Sequence, residues 1–171
     1  VYDNAELIKN TPYGTTLDSG YAYKVAFLHI ILHKLIVKAF NINLAFDERM
    51  RANRDEITKV CLVSQLSKCQ MFKPNEDSWS INKRGIIYIF NDNLEGALRM
   101  GERSALLCSN LGMKFSPREY EAIRIIDRDL TADNYSKYFC SPLSLVIRQA
   151  TEIVAMEGKL GVKLNNNDKT K

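Results

Sequence analysis

Two histidines, His29 and His33, are the only imidazoles in the chain. Their i, i+4 spacing puts both rings on one face of a helix. Such a pair ligates zinc or nickel when a third and fourth donor arrive from elsewhere. It also describes two edge residues of an amphipathic helix, and that reading is favoured. The four cysteines, Cys61, Cys69, Cys108 and Cys140, show no CxxC spacing and no histidine nearby. They read as buried or half-buried thiols of a reducing cytoplasm rather than as a zinc site. No GxSxG, phosphate-binding glycine loop or dinucleotide fingerprint is present. Ser64 and Ser104 have no histidine within expected reach, so a serine nucleophile is unsupported.

The elements that must position these groups are mostly helical. Val25, Leu28, Leu32, Leu35 and Ile36 recur at helical spacing, which predicts a helix from about Ser19 or Gly20 toward Asn41. A loop, Asn10 to Gly20, precedes it. Ile57, Val60, Cys61, Val63, Leu66 and Phe72 predict a second helix from about Phe46 to Met71, stopped by Pro74. Trp79 and Ile81, then Asn82-Lys83-Arg84-Gly85, then Ile86 to Phe90 predict a small hairpin turning at the glycine. A third helix is expected from about Leu94 to Leu111, with Gly112 at its end. Ser116-Pro117-Arg118-Glu119 is a helix start, with Ser as cap, Pro in the first turn and Glu in the capping-box place. That helix carries Ile123, Ile126 and Leu130. After a loop from Thr131 to Ser141, Pro142 opens a last helix toward Met156. The fold class is therefore mostly α, a helical bundle with one small inserted β-hairpin.

At 171 residues, nearly half of them hydrophobic, the chain suits one domain with a tail and excludes disorder throughout. The domain is expected over residues 1–157, followed by a basic, disordered tail over 158–171. Most of the net charge of +4 gathers there, where Lys159, Lys163, Lys169 and Lys171 face Asp168 alone. Such a tail suits nucleic acid or an acidic partner, or is simply a solvated end. No aromatic residue is interleaved with those lysines, which counts against a stacking platform for single strands. The richest apolar stretch, Val25 to Phe40, is interrupted by His29, His33, Lys34 and Lys38, so no membrane span is expected. The opening Val1-Tyr2-Asp3-Asn4 does not read as a signal peptide, and the missing initiator Met fits a chain that begins after processing, a tag or a further segment. A cytoplasmic location follows as the expectation.

The stretch LVSQLSKCQMF, Leu62 to Phe72, resembles the HD signature LLHDLCKxxxY of small bacterial and phage HD-domain phosphohydrolase-like proteins. In that family a Trp, a turn, a Tyr in an apolar strand and the run L-P-x-G-H-G-E-K-S follow. Here stand Trp79, Tyr88, Leu94 and Arg99-Met100-Gly101-Glu102-Arg103-Ser104. The family's E-A-x-A-I-R-W-H is matched by Glu121 to Ile126, its L-L-H-I-A-D by Val146 to Thr151, and its G-G-L-x-x-H-S by Ser19 to Val25. The likeness extends from about Asn10 to Glu157.

The resemblance implies an HD-like helical fold, and it also implies a lost metal centre. HD enzymes hold divalent cations between His and Asp side chains, and the metal activates the water that attacks phosphorus. At those positions this chain has Lys24, Ser64, Gln65, Met100, Ile126 and Thr151, with Arg148 three residues before the last and Gly14 at an upstream His position. No metal or other cofactor is expected, and no catalytic residue. The remaining shell is Gly20, Lys68, Gly101, Glu102 and Arg124. Lys68, Arg148 and Lys24 are the candidate anion contacts; Lys68 reads equally as a structural or solvent-facing lysine, and Glu102 as a first-turn or inter-helix hydrogen-bonding residue. Asp127, beside Arg128, Asp129 and Asp133, would reach the old cavity on a small register slip, but one carboxylate cannot build a catalytic metal centre. The expected function is therefore that of a catalytically inactive HD-like protein, a binding, regulatory or structural subunit of a larger assembly such as a phage or mobile-element particle. Two alternatives stay open: a residual metal-dependent phosphohydrolase or nucleotidase with unrecognised ligands, and a nucleic-acid-binding accessory protein using Lys24, Arg148 and the tail.

Overall fold

Side chains that take up the first free amides set most helix boundaries in this chain. The structure, a computed structural model, describes residues 28–127 and 141–160. Its first described helix, α1, covers Leu28–Ala45 and buries Leu28, Ile31, Leu32, Leu35 and Ala39 along one face. It runs past Asn41, where the apolar pattern fades. Asn43 then holds the returning chain, donating to the Ala52 carbonyl at 3.0 Å and accepting from the Ala52 amide at 2.9 Å. Arg51 adds donors to the Phe46 and Leu44 carbonyls at the helix end.

The single helix expected from Phe46 to Met71 is three pieces. A 3₁₀ turn, Glu48–Met50, starts under Asp47, whose carboxylate accepts from the Arg49 amide. Helix α2, Arg54–Val63, starts under Asn53, whose side chain accepts from the Asp55 amide at 2.8 Å. The chain turns through Ser64 to Ser67 before the short helix α3, Lys68–Met71. The turn is kept by distant partners: the Ser67 amide donates to Ser104 Oγ at 3.0 Å, and Ser67 Oγ donates to the Met100 carbonyl at 3.0 Å.

The hairpin exists, but on other residues. Strand β1, Phe72–Pro74, pairs antiparallel with β2, Tyr88–Phe90, in the register Phe72↔Phe90, Lys73↔Ile89, Pro74↔Tyr88. Trp79 and Ile81, expected in a strand, lie in helix α4, Ser78–Arg84. Asp77 caps that helix by accepting from the Trp79 amide, and Gly85 closes it at φ 65°, a left-handed conformation that suits glycine. The third expected helix is shorter than its pattern. As α5 it covers Met100–Asn110, followed by Gly112 at φ 85°.

Helix α6, Pro117–Ile125, carries the expected capping box, Ser116 with Glu119. Helix α7, Pro142–Lys159, opens at the expected proline and runs past Met156. Gly158 in it is buried, so the helical body extends beyond residue 157. The chain is thus mostly helical with a small two-stranded antiparallel sheet. The core lies where α7 packs on α1 and α6, α2 on α1, and α5 on α6. Leu35, Ile57, Val60, Ile123, Val146 and Ile147 are among its fully buried residues. Among the described residues, α1 is long and apolar enough to cross a membrane by length and composition. In this fold its apolar face is instead spent on α7 and α2. Gly14, Gly20, Lys24, Leu130, Cys140, Asp129, Asp133 and the tail from residue 161 lie outside the described residues.

Candidate functional site

The turn after α2 holds two of the positions at which the HD resemblance places metal ligands. Ser64 is fully buried and donates its hydroxyl to the Cys61 carbonyl at 3.2 Å. Gln65 is 1% exposed, and its Oε1 is buried without a hydrogen-bond partner. One turn on, Lys68 is half-buried and engaged in an interaction of its own. Burial strips water from its ammonium and pulls its pKa down to about 8.

Met100 acts through its backbone. Its carbonyl accepts from Ser67, and its amide donates to Asp127 Oδ2 at 2.7 Å, which charges and caps the start of α5. Asp127 is exposed and spent on this cap, not aimed into an interior cavity. Next to Met100, a Cβ on Gly101 would stand 2.1 Å from the Ile123 carbonyl oxygen, so only glycine lets α5 and α6 approach this closely. Glu102 completes the capping box of α5 and lies 3.7 Å from Arg124 Nε on α6. Glu102 thus serves both the first turn of α5 and the contact between α5 and α6.

Ile126 ends α6 and packs half-buried against the core. Thr151 donates its hydroxyl back to the Ile147 carbonyl at 2.8 Å, one turn earlier on α7. Arg148 donates Nε to Glu152 Oε1 at 2.9 Å, while its Nη1 is buried without a partner. An unsatisfied buried donor costs about 1–3 kcal/mol. Ser64, Met100, Ile126 and Thr151 thus serve packing and local hydrogen bonding, whereas Gln65 and Arg148 each keep a polar atom in reserve.

His29 and His33 are both exposed on α1. Among the described residues, no three His, Cys, Asp or Glu side chains gather as a metal-binding group. Cys61, Cys69 and Cys108 are free thiols, and burial pushes the Cys61 thiol up to about 12, far from a reactive thiolate.

A cleft of about 550 Å³ lies away from these positions, where the first turns of α2, α6 and α7 meet. Arg51, Asn53, Glu56, Lys59, Arg118 and Glu119 are among the residues lining it. Its cations are spoken for. Lys59 reaches Glu119 at 2.9 Å, Arg51 reaches Glu48 at 3.7 Å and Arg118 reaches Glu56 at 3.8 Å. Burial pushes the Glu119 carboxyl up, but the Ser116 amide and the Lys59 ammonium outweigh it and hold the group below its ordinary range. Sequence reasoning missed this cleft, although the caps Asn53, Ser116 and Ser141 mark its three helix starts.

Compared with family models, curated proteins and solved structures, the chain has no match.

Proposed function

We propose that this chain is a catalytically silent HD-domain-like module that works by binding, and that Arg148 and Lys68 give it affinity for a small anion such as a phosphate group. The observation that carries the reading is the buried Arg148 Nη1 without a partner. A bound oxyanion would satisfy it, and charge-assisted hydrogen bonds are the strong ones. Lys68 is proposed as a second anion contact, because a nearby negative charge would favour its protonated amine. The HD resemblance adds its lysine beside a phosphate, while the positions that would hold metal carry Ser64, Gln65, Met100, Ile126 and Thr151. A module of this kind suits a regulatory or structural subunit of a larger assembly.

Calorimetric titration of the full chain with inorganic phosphate and a nucleoside monophosphate tests the proposal. Saturable binding is expected, with proton uptake near pH 8 and loss of binding in Arg148→Met. Binding unchanged in Arg148→Met overturns the site. Metal-dependent hydrolysis of a phosphate ester, with Mn²⁺ or Ni²⁺ bound stoichiometrically, overturns the catalytic silence.

A further inference from the structure

The arm between α3 and α5 carries the only tryptophan of the chain, Trp79. It sits in the first turn of α4 and remains 57% exposed, unusual for so large an apolar surface. The Arg84 guanidinium stands 4.9 Å from its ring centroid, a cation–π stack that covers one face and leaves the indole otherwise open. Lys83 lies four residues beyond Trp79, which places both on one side of the helix. Lys83 and Arg84 are exposed, and among the described residues neither makes a salt bridge. Lys73 adds a third cation on β1. Of the two nearby acids, Asp77 is committed to capping the Trp79 amide and the Ser80 hydroxyl, which leaves Glu76. The helix is closed at both ends, by Asp77 and by Gly85, and rooted on the β1–β2 pair. The ring is therefore held in place before any ligand arrives.

We infer that this arm binds single-stranded nucleic acid, with an unpaired base stacked on Trp79 and the flanking phosphates on Lys83 and Arg84. An aromatic face beside cations is the combination that single-strand binders use, because every base offers a π-face and every nucleotide a charge. A duplex hides its base faces and could use only the cations. The charge balance favours nucleic acid over a protein partner, since Lys73, Lys83 and Arg84 outnumber Glu76 and Asp77, whose carboxylate acts on Arg84. The inference stands apart from the anion proposed at Arg148 and Lys68 and draws on neither residue. It also moves the basic, aromatic surface from the tail, which lacks aromatic residues, to the arm.

Trp79 emission reports contact directly, because no other indole contributes. Titrating the full chain with a 15-nucleotide oligothymidine at low salt should give saturable quenching. Releasing counterions from two phosphates gives a slope of about −1.4 in log affinity against log salt, or roughly a 7-fold loss between 50 and 200 mM. By anisotropy of a labelled oligonucleotide, Trp79→Ala should weaken binding on the order of 10-fold, and Trp79→Phe should restore most of it. Lys83→Ala with Arg84→Ala should flatten the salt slope by about 1.4. Circular dichroism confirms that each variant keeps its helices. The inference is overturned by absence of quenching at 50 mM salt, by Trp79→Ala binding like the parent, or by a duplex of equal length binding as tightly. Polyglutamate competing as well as the oligonucleotide would also overturn it, and would assign the arm to an acidic protein.

Discussion

Replacing Lys68 by Met removes a charge from a half-buried site while keeping the volume of an unbranched side chain. The amine titrates at about 8 in the fold, against 10.5 for an ordinary lysine. Keeping it protonated inside the protein therefore costs about 3 kcal/mol, at 1.36 kcal/mol per tenfold change in proton affinity. The direction with pH follows from proton counting. Between pH 8 and 10.5 the unfolded chain holds the Lys68 proton and the folded chain has released it, so stability rises with pH across that window. Below pH 8 both states are protonated and the full cost stands. Lys68→Met lacks this term at every pH, although it also forfeits whatever interaction the amine makes. The stability difference, variant minus parent, should thus fall by up to about 3 kcal/mol between pH 7 and pH 10.5. Urea unfolding of both proteins, followed by helical circular dichroism at four or five pH values, measures it. Other lysines and tyrosines titrate alike in both proteins and cancel. A difference that stays flat with pH refutes the burial of the ammonium; one that grows reverses the sign of the argument.

Gly101→Ala drives a methyl group into the Ile123 carbonyl, and thermal unfolding should show a loss of about 3 kcal/mol or more. Ser116→Ala removes the hydroxyl that caps the Glu119 amide at 3.3 Å and should cost about 1 kcal/mol in chemical denaturation. Lys59→Met strands the Glu119 carboxylate, whose side chain is 8% exposed, and should cost about 3 kcal/mol at pH 7. Because Glu119 titrates below its ordinary value, the stability it contributes is present above that value and is lost as pH falls through the lowered one. Acid unfolding of Lys59→Met should therefore converge on that of the parent once the pH has fallen through the lowered Glu119 value.

Local signals were read correctly where they carried their own physics. Ser116, Pro117 and Glu119 name a helix start unaided, as does Pro142, and the structure places helices at both. The hairpin was displaced because Trp79 and Ile81 are strand-like by composition, yet Asp77 and Gly85 close a two-turn helix around them. The true strand partners, Phe72 and Phe90, are separated by that whole excursion, and no local pattern joins them. The break after Val63 was invisible for a similar reason. Ser67 ends the helix by bonding to Met100 and Ser104, more than thirty residues away. At the candidate site the sequence named Ser64, Gln65, Met100, Ile126, Thr151 and Arg148 only as positions of interest. That Gln65 Oε1 and Arg148 Nη1 are buried without partners depends on packing from several helices at once. The exposure of Trp79 was equally beyond reach, since it depends on the arm standing on its own strand pair.

The contact of Gly101 with Ile123 also limits how the molecule moves. A carbonyl oxygen sits where a side chain would stand, and the next positions on that face of α5, one turn on, are Ser104 and Ala105. Advancing α5 past α6 by a turn would set a Cβ against that oxygen, so a one-turn ratchet is closed at this pair. The arm remains joined to α5 through residues 91–99, which contain Gly96 at φ 72°. Arg103 of α5 donates to the Glu95 and Gly96 carbonyls at 2.9 and 2.8 Å, which pins this linker to the bundle. With β1 continuous from α3 at the other root, a ligand gripped by the arm meets a fixed surface whose orientation the bundle dictates.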